Sequence, residues 1–115
     1  MNSHNEAEAP GYVDGLHYTE HVETVKVLKR ADDLAKAEAL LVRLIEATET
    51  ESRSEGFGVA PWYYEQLAIV RAKRGDVAGE VEVLERYASQ HHAPGVKPAK
   101  LMARLEKAKQ KQGGA

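Results

Sequence analysis

The sequence contains no cysteine and few large apolar side chains among its 115 residues. Without cysteine, a disulfide scaffold, thiol catalysis and a cysteine-ligated zinc site are all excluded. Aromatic residues make up only 6% of the chain, and Leu, Ile, Val and Phe together number 24, which is near the lower limit for globular proteins. A chain of this length forms one small domain with a thin core. That argues against a large enzyme with a deep active site.

Membrane and export signals are also missing from the sequence. No apolar run approaches the roughly 20 residues that a membrane span needs. The first twenty residues are acidic and polar, unlike the apolar core of a secretory signal. We therefore expect a cytoplasmic protein that makes no membrane contact.

Charge is distributed unevenly, although the net charge is only −2. Residues 1–20 carry four acidic side chains and no Lys or Arg, whereas residues 97–115 carry six Lys or Arg against one Glu. Such asymmetry favours contact between opposite ends of two copies, as in a homodimer, or an anionic partner for the C-terminal end. The alternative is that the basic stretch is simply a solvated helix face.

The hydrophobic periodicity predicts an all-α fold of about five helices, with no clear strand. Capping aspartates, a proline at a first helical position and glycines at helix ends indicate the boundaries. The fold is predicted as two antiparallel helix–turn–helix pairs followed by a capping helix. The predicted helices span about 17–30, 34–53, 61–74, 77–90 and 98–111, within a single domain at 16–111 between tails at 1–15 and 112–115.

The segment at 61–87, PWYYEQLAIVRAKRGDVAGEVEVLERY, resembles a tetratricopeptide repeat. It has an aromatic cluster at the start of its first helix, Leu67 followed by the small Ala68, and Gly75-Asp76 at the turn. The preceding helix matches the same pattern at Leu34, Ala37, Leu41 and Leu44. The sequence departs from the family pattern at Arg71, where an aromatic is usual, and at Glu80, where alanine is preferred.

This resemblance implies stacked helix pairs that present a concave surface to a partner. Two repeats are fewer than such arrays usually need, so the fifth helix or a second subunit must cover the remaining apolar face. The resemblance implies a partner-binding face on the third helix, formed by Trp62, Glu65, Ile69 and Lys73. Trp62 could instead simply hold the start of that helix against the second helix.

A second candidate site is a basic stripe on the fifth helix, formed by Lys100, Arg104, Lys107 and Lys111. Such a stripe could bind an anion or a nucleic acid. The chain as a whole has a pI near 6.2, and this helix has no aromatic residue for base stacking. Nucleic acid is therefore the less favoured partner.

The motif His17-Tyr18-Thr19-Glu20-His21 fits the H-x-x-E-H pattern of inverted zinc peptidases. In that pattern two histidines bind zinc while the glutamate activates a water molecule. No spacing in the sequence selects a third ligand from Glu38, Glu46, His91 and His92. We therefore interpret the two histidines as ordinary residues at a helix start and predict neither a metal nor a cofactor.

Glutamates near the end of the second helix are another possible catalytic or binding group, although a solvated helix end is the simpler interpretation. They are Glu46, Glu49, Glu51 and Glu55. Taken together, these observations predict a non-enzymatic interaction module that binds a protein or peptide. The alternatives are an anion-binding protein and, more remotely, a zinc hydrolase.

Overall fold

Five α-helices follow one another along the chain and pack in sequence order in the computed structural model, which describes residues 9–113. The predicted all-α class is confirmed. The helices are α1 (Val22–Arg30), α2 (Leu34–Glu55), α3 (Pro61–Lys73), α4 (Val77–Ala88) and α5 (Lys97–Gly113). A short hairpin and a 3-10 helix over Tyr18–His21 precede α1.

The N-terminal region differs from the sequence prediction. Strands β1 (Tyr12–Val13) and β2 (Leu16–His17) form an antiparallel pair. The sequence predicts no strand in this region and a tail that extends to residue 15. Asp14 and Gly15 make the turn with φ of 51° and 82°, the left-handed backbone that an Asp-Gly hairpin uses. Residues 1–8 of the predicted tail lie outside the described residues.

The first α-helix begins later than predicted because a 3-10 turn comes before it. The His17 ring accepts a hydrogen bond from the backbone N–H of Thr19, and the Glu20 carboxylate accepts one from the backbone N–H of His17. This reciprocal arrangement is a capping box, which satisfies the free N–H groups of a helix start. The α-helical geometry then begins at Val22.

The other helix boundaries follow the predicted capping residues. Asp33 accepts a hydrogen bond from the third N–H of its helix, and Asp76 does the same at the start of α4. Pro61 occupies the first position of α3, where its missing N–H costs nothing. Gly56 ends α2 with a φ of 85°, a conformation that glycine adopts without strain.

Side-chain contacts show that α2 and α3 run in opposite directions. Tyr64, near the start of α3, contacts Glu49 late in α2, while Arg71, near the end of α3, contacts Glu38 early in α2. A turn of only three residues then leads from α3 into α4, which favours an antiparallel neighbour. Helix α5 packs mainly on α4 and touches α3 at fewer positions.

The core lies between these helices, and most of its buried apolar side chains belong to α2, α3 and α4. The largest fully buried apolar side chains are Tyr64, Tyr87, Leu41, Leu44, Ile45, Leu67, Leu84, Leu101, Val25, Val59 and Val70. No helix of the described residues is long and apolar enough to cross a membrane.

The loops before α3 and α5 are joined at one end of the helices. The backbone N–H of Val59 donates to the carbonyl of His91 at 3.0 Å, and Val59 forms an isolated parallel bridge with His92. A Cβ atom added to Gly58 would lie 2.2 Å from the backbone nitrogen of Ala93. Glycine is therefore required for this close approach of the two loops.

Candidate partner-binding face

The four predicted partner-binding residues lie along one side of α3. Trp62, Glu65, Ile69 and Lys73 are spaced by three or four residues, which brings them to one helix face. The first three are half-buried and Lys73 is exposed. We call this set the α3 face.

The indole of Trp62 packs against the edge of the core and remains partly accessible. Its ring meets the ring of Tyr63 edge to face, with centroids 4.9 Å apart. Tyr63 in turn meets Tyr18 edge to face at 5.2 Å, and burial raises the pKa of Tyr63 to about 12. Trp62 therefore has a packed edge and an accessible edge, as side chains in binding surfaces often do.

Helices α1 and α5 contribute charged side chains next to the α3 face. The Nζ of Lys97 donates to Glu65 at 2.6 Å, and the Nζ of Lys29 donates to the amide oxygen of Gln66. Burial lowers the pKa of Lys29, and the nearby charge of Lys73 lowers it further, while Glu65 opposes this change. The α3 face is thus an apolar centre bordered by charges of both signs.

The sequence interpretation missed Lys29, Gln66 and Lys97. Gln66 lies one helical turn after Trp62, so its position beside the α3 face could have been predicted from the helix period. Lys29 and Lys97 are separated by 37 and 32 residues from their partners. No local pattern reveals contacts over such separations.

Two side chains of the basic stripe on α5 pair with an acidic residue, and the other two are exposed. Arg104 and Lys111 both face Glu80 of α4: Arg104 Nε lies 2.9 Å from one carboxylate oxygen, and Lys111 Nζ lies 3.4 Å from the other. Lys100 and Lys107 are exposed and have no side-chain partner within residues 9–113. These two lysines line a shallow groove together with Ala103 and Arg104.

The two histidines of the H-x-x-E-H motif have other partners. The ring nitrogens of His17 lie 2.8 Å from the hydroxyl of Thr19 and 2.7 Å from the carboxylate of Glu51. His21 is buried, and its Nε2 donates to the carbonyl of Val13 at 2.9 Å. Across residues 9–113, no group of three or more His, Asp or Glu side chains is placed to hold a metal ion.

The second histidine pair serves the loop before α5. The ring of His92 stacks on Tyr87 with centroids 4.1 Å apart, and its Nε2 lies 2.6 Å from the carbonyl of Tyr87. His91 is exposed. The position of His92 is therefore fixed by aromatic stacking and by a backbone contact.

The four glutamates near the end of α2 differ in their exposure and in their contacts. Glu46 and Glu55 are exposed, whereas Glu51 contacts His17 on the hairpin side. Glu49 is only 6% exposed and lies between α3 and α4. The interpretation of a solvated helix end is wrong for Glu49, because this side chain is buried and accepts hydrogen bonds from Tyr64 of α3 and Arg86 of α4.

Comparisons with protein-family models, with curated proteins and with solved structures found no match to this chain.

Proposed function

We propose that this chain is a non-catalytic, tetratricopeptide-like interaction module that binds a protein or peptide partner through the α3 face. The main support is the combination of a partly accessible Trp62 with Ile69 on one helix face, between charged side chains from three helices. Aromatic side chains and mixed charges of this kind are enriched in protein interfaces.

The order of the helices supports the same proposal. Lys29 of α1 contacts Gln66 of α3, and Lys97 of α5 contacts Glu65 of α3. Side chains of α1, α3 and α5 therefore border one surface. In stacked helix pairs such a surface accommodates a helix or an extended segment of a partner.

The test is partner capture with a double variant of the α3 face, Trp62→Ala with Lys73→Glu. The full chain is used to capture proteins from its native host, and the captured proteins are identified by mass spectrometry. A matched control, Phe57→Ala with Lys107→Glu, removes one exposed aromatic ring and reverses one exposed lysine elsewhere. We expect the α3-face variant to lose partners that the control retains, with both variants keeping a helical circular dichroism spectrum.

Recovery of the same partners by the folded α3-face variant would exclude the α3 face. If Trp62 serves only to hold α3 in place, the variant instead loses stability before it loses its partners. Thermal unfolding of both variants separates these outcomes. The basic stripe of α5 is then the next surface to test.

Anion binding by α5 is the second candidate function. The groove at Lys100, Ala103, Arg104 and Lys107 supports it, since the two lysines that line it have no acidic partner within residues 9–113. A protein that binds nucleic acid through these cations would be retained on a nucleic-acid column and released by salt. Retention that is lost in Lys100→Glu with Lys107→Glu would favour this function over protein binding.

A further inference from the structure

Helix α5 is attached to the rest of the fold by a buried apolar stripe and by contacts between opposite charges. Three acidic side chains of α3 and α4 each face a basic side chain of α5: Glu65 faces Lys97, Glu85 faces Lys109, and Glu80 faces Arg104 and Lys111. The apolar part of the contact comes from one stripe of α5, which belongs to the buried core. Its buried members are Leu101, Leu105 and Ala108.

The buried carboxylate of Glu80 makes this surface depend on a basic helix. Its side chain is only 2% exposed, and the cations that face it, Arg104 and Lys111, both belong to α5. A buried carboxylate is costly unless it is paired with a cation. The surface formed by α3 and α4 therefore requires a basic, amphipathic helix in this position.

The fit of α5 on this surface is incomplete. The Nε of Arg104 is buried and lies 2.9 Å from Glu80, yet it makes no aligned hydrogen bond. Among the described residues it is the one buried side-chain nitrogen or oxygen without a hydrogen-bond partner. An unaligned contact of this kind leaves part of the desolvation cost of the pair uncompensated.

The loop that leads into α5 is exposed at its end. Residues 93–96 of the preceding loop are all exposed, and Val96 has 76% of its surface in solvent. The principal packing neighbours of α5 are α4 and α3. The packing of α1 against α2 and of α2 against α3 therefore involves no residue of α5.

We propose that the α3–α4 surface is a docking site for a basic amphipathic helix, that α5 occupies it in cis, and that α5 of a second copy of the chain can occupy it in trans. The proposed site lies beneath α5 and shares Glu65 with the α3 face. A helix tethered by a short linker competes at a high effective concentration. The site is therefore closed to other helices until α5 is weakened.

The test uses a fluorescein-labelled peptide of residues 96–113 and the full chain, with binding followed by fluorescence anisotropy. In the variant Arg104→Glu with Lys111→Glu, the chain's own α5 is repelled by Glu80. We expect this variant to bind the peptide at least about tenfold more tightly than the wild-type chain, because the competing cis helix is lost. In this double variant, the further change Glu80→Lys should restore the attraction between the variant's own α5 and the α3–α4 surface. The gain in peptide affinity should then be lost.

The matched control is Lys100→Glu with Lys107→Glu. It changes the net charge of the same helix by the same amount, at side chains that face no acid within residues 9–113. The control should bind the peptide as weakly as the wild-type chain. Equal affinity of all chains for the peptide, or an equal gain in the control, would overturn the proposal.

Hydrogen exchange of the wild-type chain gives a second measurement that needs no variant. We expect the amides of α5 to exchange faster than those of α3 and α4, with a further increase in 1 M salt, where exposed ion pairs are screened. If α5 exchanges only together with α3 and α4, it is an inseparable part of the core, and the proposal fails.

Discussion

Arg86 of α4 and Glu49 of α2 are joined by two hydrogen bonds of 2.8 Å, one to each oxygen of the carboxylate. The hydroxyl of Tyr64, on α3, donates to the same carboxylate at 2.8 Å. One buried carboxylate thus links three helices that are separated in the sequence. The contact with Glu49 raises the pKa of Arg86, and burial raises the pKa of Tyr64. Both partners are therefore held in the hydrogen-donating forms that the link requires.

Removing this carboxylate should be strongly destabilising. We expect Glu49→Ala to lower the free energy of unfolding by about 2–4 kcal/mol, since it leaves Tyr64 and Arg86 without their acceptor. Arg86 is partly exposed, which places this value below that of a fully buried pair. Urea denaturation measures the change. Glu55→Ala, at an exposed position of the same helix, should change stability by less than about 0.5 kcal/mol; equal losses in the two variants would contradict the role of Glu49.

The helices could be predicted from the sequence because their signals are local. Asp33, Pro61 and Asp76 sit at helix starts in the structure as their residue types suggest. The Asp14-Gly15 hairpin was missed even though an Asp-Gly pair is a hairpin signal, because strands of two residues show no alternation of polar and apolar positions.

The charged contacts between helices could not be predicted from the sequence. Arg71 and Glu80 occupy positions where the repeat pattern has apolar residues, and each is paired in the structure with residues of another helix. Arg71 contacts Glu38, 33 residues away. A sequence with 34 acidic and basic residues offers many such pairs, and only the packing selects among them.

The centre of α2 should be sensitive to loss of side-chain volume. Leu41 is fully buried between neighbouring helices, so Leu41→Ala should lower the free energy of unfolding by about 2–5 kcal/mol through lost burial and a remaining cavity. Val27→Ala serves as the control, because Val27 is 49% exposed. Denaturant titration measures the free energy of unfolding of both variants. A Leu41→Ala protein as stable as the wild-type chain would show that Leu41 is not part of the core.

Self-association of the chain is expected from the opposite charges of its two ends and from exposed apolar side chains. Near the N-terminal end these include Tyr12, Leu16 and Val27. We predict a homodimer whose population falls as salt is added, because the attraction between the ends is screened. Light scattering at tens of micromolar protein measures this. A monomer mass that does not change with salt would remove the prediction.

The purified protein is predicted to carry no stoichiometric zinc. For His17 to bind a metal it would have to give up its contacts with Thr19 and Glu51, and His21 would have to release the carbonyl of Val13. Elemental analysis should therefore find far less than one zinc per chain, and a chelator should leave the melting temperature unchanged. One zinc per chain that disappears in His21→Ala would instead revive the hydrolase interpretation.

Alkaline pH should lower the free energy of unfolding, because it favours ionisation of tyrosines that are buried in the fold. Burial raises the pKa of Tyr63 from the ordinary 10.0 to about 12, and it also raises the pKa of Tyr18, Tyr64 and Tyr87. A raised pKa means that the folded chain retains protons that the unfolded chain has released. This contribution to stability is fully present below pH 10 and is lost as the pH rises towards 12.

The Tyr63→Phe variant isolates one part of this loss. At pH 11, midway between the two pKa values, the contribution of Tyr63 has fallen by about 1 kcal/mol. Urea denaturation at pH 8 and pH 11 should therefore show a smaller loss in Tyr63→Phe than in the wild-type chain, by roughly that amount. Lys29, whose lowered pKa acts in the opposite direction, is present in both chains and cancels in the comparison. Tyr12→Phe, at a hydroxyl on the exposed hairpin, should follow the wild-type profile; if Tyr63→Phe follows it as well, burial of the Tyr63 hydroxyl is not the cause of the alkaline loss.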